Sequence, residues 1–113
     1  AVGVADLPPG VTDYASAVRV HGDQYSPPRY SGPALDGAPA ADILATASAT
    51  ASADGVSAPS RVLSTREWRT GAGILGNIIA PLSVGASLVW VSPTPDTDLA
   101  ARAASERADV VLD

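Results

Sequence analysis

The 113-residue sequence contains no Cys, Lys, Met or Phe, and a single His. Without Cys there are no disulfides, no thiolate nucleophile and no Cys-based zinc site. One His excludes a cluster of several His around a metal. Without Lys, the seven basic residues are all Arg and face twelve acids, for a net charge of −5. Nucleic-acid affinity comes from cationic side chains meeting phosphates, so this composition argues against a nucleic-acid partner. Hydrophobic residues make up 46%, but 22 of them are Ala against 25 Val, Ile and Leu. Ala removes little area from water, so the core is thin. The length suits one α/β domain or half-domain over 1–113.

The first residue is not Met, and Ala1–Ala5 reads as a strand already in progress, so the chain is expected to be one portion of a longer protein. No basic stretch followed by an apolar run is visible there, which predicts a cytoplasmic location. Residues 1–39 form a lead-in broken by Pro8-Pro9-Gly10, Pro27-Pro28, Gly32-Pro33 and Gly37-Ala38-Pro39. Within it, Thr12-Asp13 caps a short helix over Tyr14–Val18. Tyr14, Tyr25 and Tyr30 are expected to pack over a small core.

Residues 40–113 have a clearer rhythm. Ala40–Ala53 reads as a helix and Arg61–Ser64 as a strand. Thr70 is the N-cap of a helix from about 72 to 84, striped by Ile74, Leu75, Ile78, Ile79 and Leu82. Ser87–Val91 is an apolar strand of the kind buried in parallel sheets. Asp96 or Thr97 caps a helix to about Arg107, with Asp98/Arg102 and Arg102/Glu106 four residues apart. Val110–Leu112 is the last strand. This order predicts a parallel βαβαβ sheet over about 61–113, with helices and right-handed crossovers. Three strands are few, so a missing N-terminal half or a partner chain is expected to complete the sheet.

Several local patterns have two readings. Gly71-Ala72-Gly73-Ile74-Leu75-Gly76 has the G-x-G-x-x-G spacing of a dinucleotide fingerprint, but the strand stops near Ser64 and the seven-residue stretch Ser64–Thr70 intervenes, which favours a glycine-rich helix start. Residues 70–95 carry no charge. Residues 74–91 would span a bilayer as one helix, yet Asn77, Pro81 and Gly85 divide the run into a buried helix and a strand. His21 and Asp23 lie close in sequence, but no G-x-S-x-G nucleophile turn accompanies them. Asp96 and Asp98 read as helix-start charges rather than metal ligands. No catalytic or metal-binding residue is assigned.

Leu7–Tyr14, Val18–Asp23, Arg61–Thr65, Ala80–Leu82, Gly85–Val89 and Leu99–Arg107, in this order, resemble a small actinobacterial family distantly similar to AMP-binding, acyl-CoA synthetase-like enzymes. The chain resembles the C-terminal half of that family's members. The resemblance implies part of the N-terminal domain of an adenylate-forming enzyme. It also implies a hydroxyl- and glycine-rich phosphate loop, ending in Pro-Lys-Gly, before a helix and a strand. Ser31, Gly32, Gly37 and Pro39 stand as remnants of that loop. Its hydroxyl run and Lys are missing, Asp36 adds a negative charge, and Thr70 stands where the family has a pocket His. Phosphates are held by backbone N–H groups and a cation, so an acid there disfavours ATP. ATP or AMP with Mg is therefore expected only if the nucleotide site is retained.

The expectation is a protein without adenylation activity on its own. It would bind a small acyl or nucleotide-like ligand, or a protein partner, with Ser31, Gly32 and Gly37 in a degenerate nucleotide loop. Thr65, Trp68, Thr70 and Gly71 are the ligand-pocket candidates. The alternative is a fragment of an active acyl-activating enzyme; a dinucleotide-binding unit and a membrane-anchored protein come behind both.

Overall fold

The computed structural model describes residues 6–113; the strand expected at 1–5 lies outside them. The chain divides into two compact units, Ala1–Tyr30 and Ser31–Asp113. In the first, helix α1 (Tyr14–Ala17) runs into a 3-10 turn (Val18–Val20). Asp13 caps α1, its Oδ1 accepting from the Ala15 N–H at 3.2 Å. Tyr14 and Tyr25 are 78% and 80% exposed, and Tyr30 is exposed too, which corrects the expectation that the three tyrosines pack over a core. Two short helical turns offer no opposing layer to bury a ring.

The second unit opens with a hairpin of β1 (Pro33–Leu35) and β2 (Ala38–Pro39). Asp36 and Gly37 turn it with φ of 48° and 80°. Two successive positive φ values make a tight hairpin turn that matches strand twist, and Asp-Gly is a favoured pair for it. The candidate phosphate loop is thus a closed two-residue turn. Helix α2 (Ala40–Ala53) follows directly, as expected from the sequence.

Strands β3 (Arg61–Ser64), β4 (Ser87–Trp90) and β5 (Val110–Leu112) form a parallel sheet in the order β4-β3-β5. Val62, Leu63 and Ser64 of the central strand are fully buried. Short strands are tied at their start by side chains: Arg61 N–H donates to Asp109 Oδ1 at 2.7 Å, and Arg61 Nη1 to the Glu106 carbonyl at 3.0 Å. Successive strand residues face opposite sides. Val62 and Leu88 accordingly join Ala47, Ala51, Ala80 and Leu112 in the core under α2 and the helix that follows β3. Ala47 and Ala51, one turn apart, let α2 lie close against that layer.

The helix between β3 and β4 comprises α3 (Gly71–Ile74), a π turn (Leu75–Ile79) and α4 (Ala80–Ser83). Its π turn has a cause in the sequence. Pro81 has no N–H to give the Asn77 carbonyl, and its ring would press on that oxygen in a regular α-helix. The chain widens instead, and the Ala80 N–H reaches back five residues to the Leu75 carbonyl. Gly85 (φ 85°) then ends the helix before β4 begins. The uncharged run 74–91 is therefore a helix and a strand. No helix among the described residues is long and apolar enough to cross a membrane.

Helix α5 (Leu99–Glu106) crosses from β4 over β3 to β5. Its cap is Asp98, whose Oδ1 accepts from the Ala101 N–H at 3.0 Å, rather than Asp96 or Thr97. The Arg102–Glu106 pair forms at 3.0 Å, while Asp98 is engaged by its own helix start. The buried Ala103 of α5 is not part of the core cluster that contains Ala47, Ala51 and Ala80.

Candidate functional site

In a parallel sheet wound in both directions, ligands bind beyond the carboxyl ends of the strands, near the point where the winding reverses. Here that point falls between β3 and β5. Thr65, the first residue after β3, donates its N–H to the Leu112 carbonyl at 3.0 Å and its Oγ1 to Asp113 Oδ1 at 2.6 Å. Beside it a cleft of about 770 Å³ opens beyond the ends of β3 and β4. Thr65, Trp68 and Arg69 line it from the loop after β3, and Trp90 and Pro93 from the end of β4.

The two indoles line the cleft side by side in edge-to-face contact, with ring centroids 5.7 Å apart and planes at 79°. Register explains how Trp90 arrives there. It lies opposite Ser64 and two residues after Leu88, on the sheet face that α4 covers. Leu88 sits under the helix and is drawn into the core. Trp90 sits at the strand's end, under the loop 65–70, and remains 43% exposed. Its Nε1–H donates to the Arg66 carbonyl at 3.0 Å, so its polar edge is satisfied and its ring faces are left for contact.

The loop 65–70 is held from several sides. Arg66 Nη1 meets Asp54 at the end of α2 at 2.9 Å, and the Arg66 N–H donates to Ser64 Oγ at 3.2 Å. Asn77, on the π turn, donates its Nδ2–H to the Glu67 carbonyl. Thr70 Oγ1 caps α3 by accepting from the Gly73 N–H at 3.1 Å. Gly73 itself is pressed on the loop: a Cβ there would lie 2.8 Å from the Glu67 carbonyl oxygen and 3.0 Å from Trp68 Cα. Of the glycines of G-x-G-x-x-G, Gly73 thus serves helix-to-loop packing, while a Cβ on Gly76 would meet Thr50 of α2 at 3.8 Å. At the rim, Arg69 Nη1 stands 3.7 Å from Glu67 Oε1, with both side chains largely exposed.

Of the ligand-pocket candidates, Thr65 and Trp68 line the cleft, while Thr70 and Gly71 form the helix start next to it. Ser31, Gly32 and Gly37 are not among its lining residues; Gly37 turns the β1–β2 hairpin. That hairpin does approach the helix start, through Asp36: a Cβ on Gly71 would overlap the Asp36 carboxylate. The lining residues Glu67, Arg69, Ile74, Trp90, Ser92 and Pro93 were not singled out from sequence. Ser92 and Pro93 did carry a signal, since they directly follow the apolar strand, and strand ends are where such sheets bind.

These residues do not fit a bound nucleoside triphosphate with Mg. A carboxylate already rests against the first turn of α3, and the sequence has no Lys to neutralise phosphates. Among the described residues no three or more His, Cys, Asp or Glu come together as metal ligands.

Comparison with known proteins adds one relative. The chain is 45% identical over 106 residues to a TIGR03089 family protein of Mycobacterium tuberculosis, a match covering 94% of this chain. It spans 44% of that protein's length. No family model matches the sequence, and no solved structure does.

Proposed function

We propose that this protein is a ligand-binding relative of adenylate-forming enzymes that does not adenylate on its own, and that the Trp68–Trp90 cleft holds a small acyl-like ligand. The observation that carries the non-adenylating part is the Asp36 carboxylate against Gly71. Phosphate recognition at a helix start relies on open N–H groups and the positive end of the helix dipole. Here the protein's own carboxylate stands beside that helix start. The succession of a turn, a helix and a strand from Asp36 to Ser64 supports the kinship, since it keeps the segment order of the enzymes while their phosphate-binding chemistry is missing. The mostly apolar walls of the cleft, two Trp with Ile74 and Pro93, support a ligand with an apolar body.

The test is ATP–pyrophosphate exchange by the purified chain with Mg and a panel of carboxylic acids. No exchange above a protein-free control is expected; acid-dependent exchange overturns the reading.

A second reading, that the chain is one portion of a working acyl-activating enzyme, is favoured by the 44% coverage of the relative and by β4 and β5 each pairing, among the described residues, with β3 alone. Under it, adding the remaining portion of the relative's sequence yields acyl-adenylate. Continued inactivity of that longer protein counts against it.

A further inference from the structure

We infer that the ligand of the Trp68–Trp90 cleft carries a substituted ammonium group. This rests on the cleft holding a ligand with an apolar, acyl-like body, and it adds a positively charged group to that body.

Four features converge on a cation. The first is the pair of indoles packed edge to face with planes at 79°, each of which keeps at least one face that the other ring does not cover. Indole is the ring whose face attracts cations best. The second is the use already made of three nearby donors. Trp90 Nε1–H is given to the Arg66 carbonyl, the Arg66 guanidinium to Asp54, and the Thr65 hydroxyl to Asp113. An anionic ligand would have to compete for each of them. The third is acid placement: Glu67 lines the cleft, and Asp113 stands behind the Thr65 hydroxyl.

The fourth is the weak hold on the opposing charge. Among the described lining residues Arg69 is the one cation. It meets Glu67 at 3.7 Å with its side chain 84% exposed, a pair worth little in water. A cation resting on an open indole face takes Arg69's place beside Glu67, and Arg69 swings into solvent. Ile74 and Pro93 complete an apolar wall, which suits an alkylated ammonium, weakly hydrated, over a bare one that would keep its water.

The experiment titrates the full chain with three probes and follows tryptophan emission and heat of binding. The probes are choline, its uncharged carbon isostere 3,3-dimethylbutan-1-ol, and benzoate. Choline is expected to bind about tenfold more tightly than the isostere, the ratio that 1.4 kcal/mol of cation–π and carboxylate attraction gives. Glu67→Gln should weaken choline several-fold and leave the isostere unchanged, Arg69→Gln should strengthen choline, and Trp68→Leu, checked for folding by circular dichroism, should abolish both. Isostere binding as tight as choline, or benzoate binding tighter in an Arg69-dependent way, overturns the cationic assignment and leaves the cleft reading standing. If none of the probes binds at millimolar concentration, the cleft reading falls with it.

Discussion

The carbonyl oxygen of Glu67 stands 2.8 Å from where a Cβ on Gly73 would be, so the wall of the cleft and the first turn of α3 touch without room for a methyl group. Two residues earlier, the atom facing Gly71 belongs to the exposed side chain of Asp36. A backbone carbonyl held by Asn77 cannot step aside; a carboxylate can rotate. Gly73→Ala is therefore expected to cost about 1–3 kcal/mol, as overpacking does. Gly71→Ala should stay within about 0.5 kcal/mol of the parent, since Ala's better helix propensity offsets the rotation of Asp36. Urea denaturation of both variants checks this; equal losses would contradict it.

Trp90→Phe keeps a ring in the cleft and removes the donor to the Arg66 carbonyl. The expected loss is roughly 1 kcal/mol, the net worth of one hydrogen bond. The loop 65–70 should also exchange its amide hydrogens faster than in the parent, with β3 protected as before. Unchanged loop exchange would show that the indole N–H does not fix the loop.

Arg66 and Asp54 join the loop to the end of α2 with side chains 34% and 21% exposed. Water still screens such a pair, so Asp54→Asn is expected to cost no more than about 1 kcal/mol. The loss should shrink at 1 M salt, where the Debye length is about 3 Å. Thermal unfolding at low and high salt checks both points.

Arg107 ends α5 with φ of 55°, the left-handed turn that Gly85 supplies at the end of α4. A side chain in that region is strained and Gly is not. Arg107→Gly is expected to stabilise the protein by about 0.5 kcal/mol, part of the gain being offset by the greater freedom of Gly in the unfolded chain. A fall in the urea midpoint would contradict this.

The helix over Ala40–Ala53 and the strands at Arg61–Ser64 and Val110–Leu112 were legible because periodicity, capping residues and turn residues act within a few positions of one another. The π turn was not read, although Pro81 signalled that the regular pattern had to give way near Asn77. The site was half legible. Thr65 and Trp68 follow the apolar strand directly, but Trp90 reads as the end of a strand, and nothing local joins it to a loop more than twenty residues earlier. The hairpin at Asp36-Gly37 is not legible apart from a phosphate loop, because tight turns and phosphate loops draw on the same small residues.

The sequence by itself determined the alternation of helix and strand after residue 40, the thin Ala-rich core, and the lack of an ammonium group for a phosphate, since these follow from residue type and near spacing. Only the tertiary structure decided that Trp68 meets Trp90, that Asp36 lies on the start of α3, and that Thr65 reaches Asp113. Each of those contacts joins elements far apart in the chain. Their meeting depends on the order and register of the parallel strands, which no local pattern fixes.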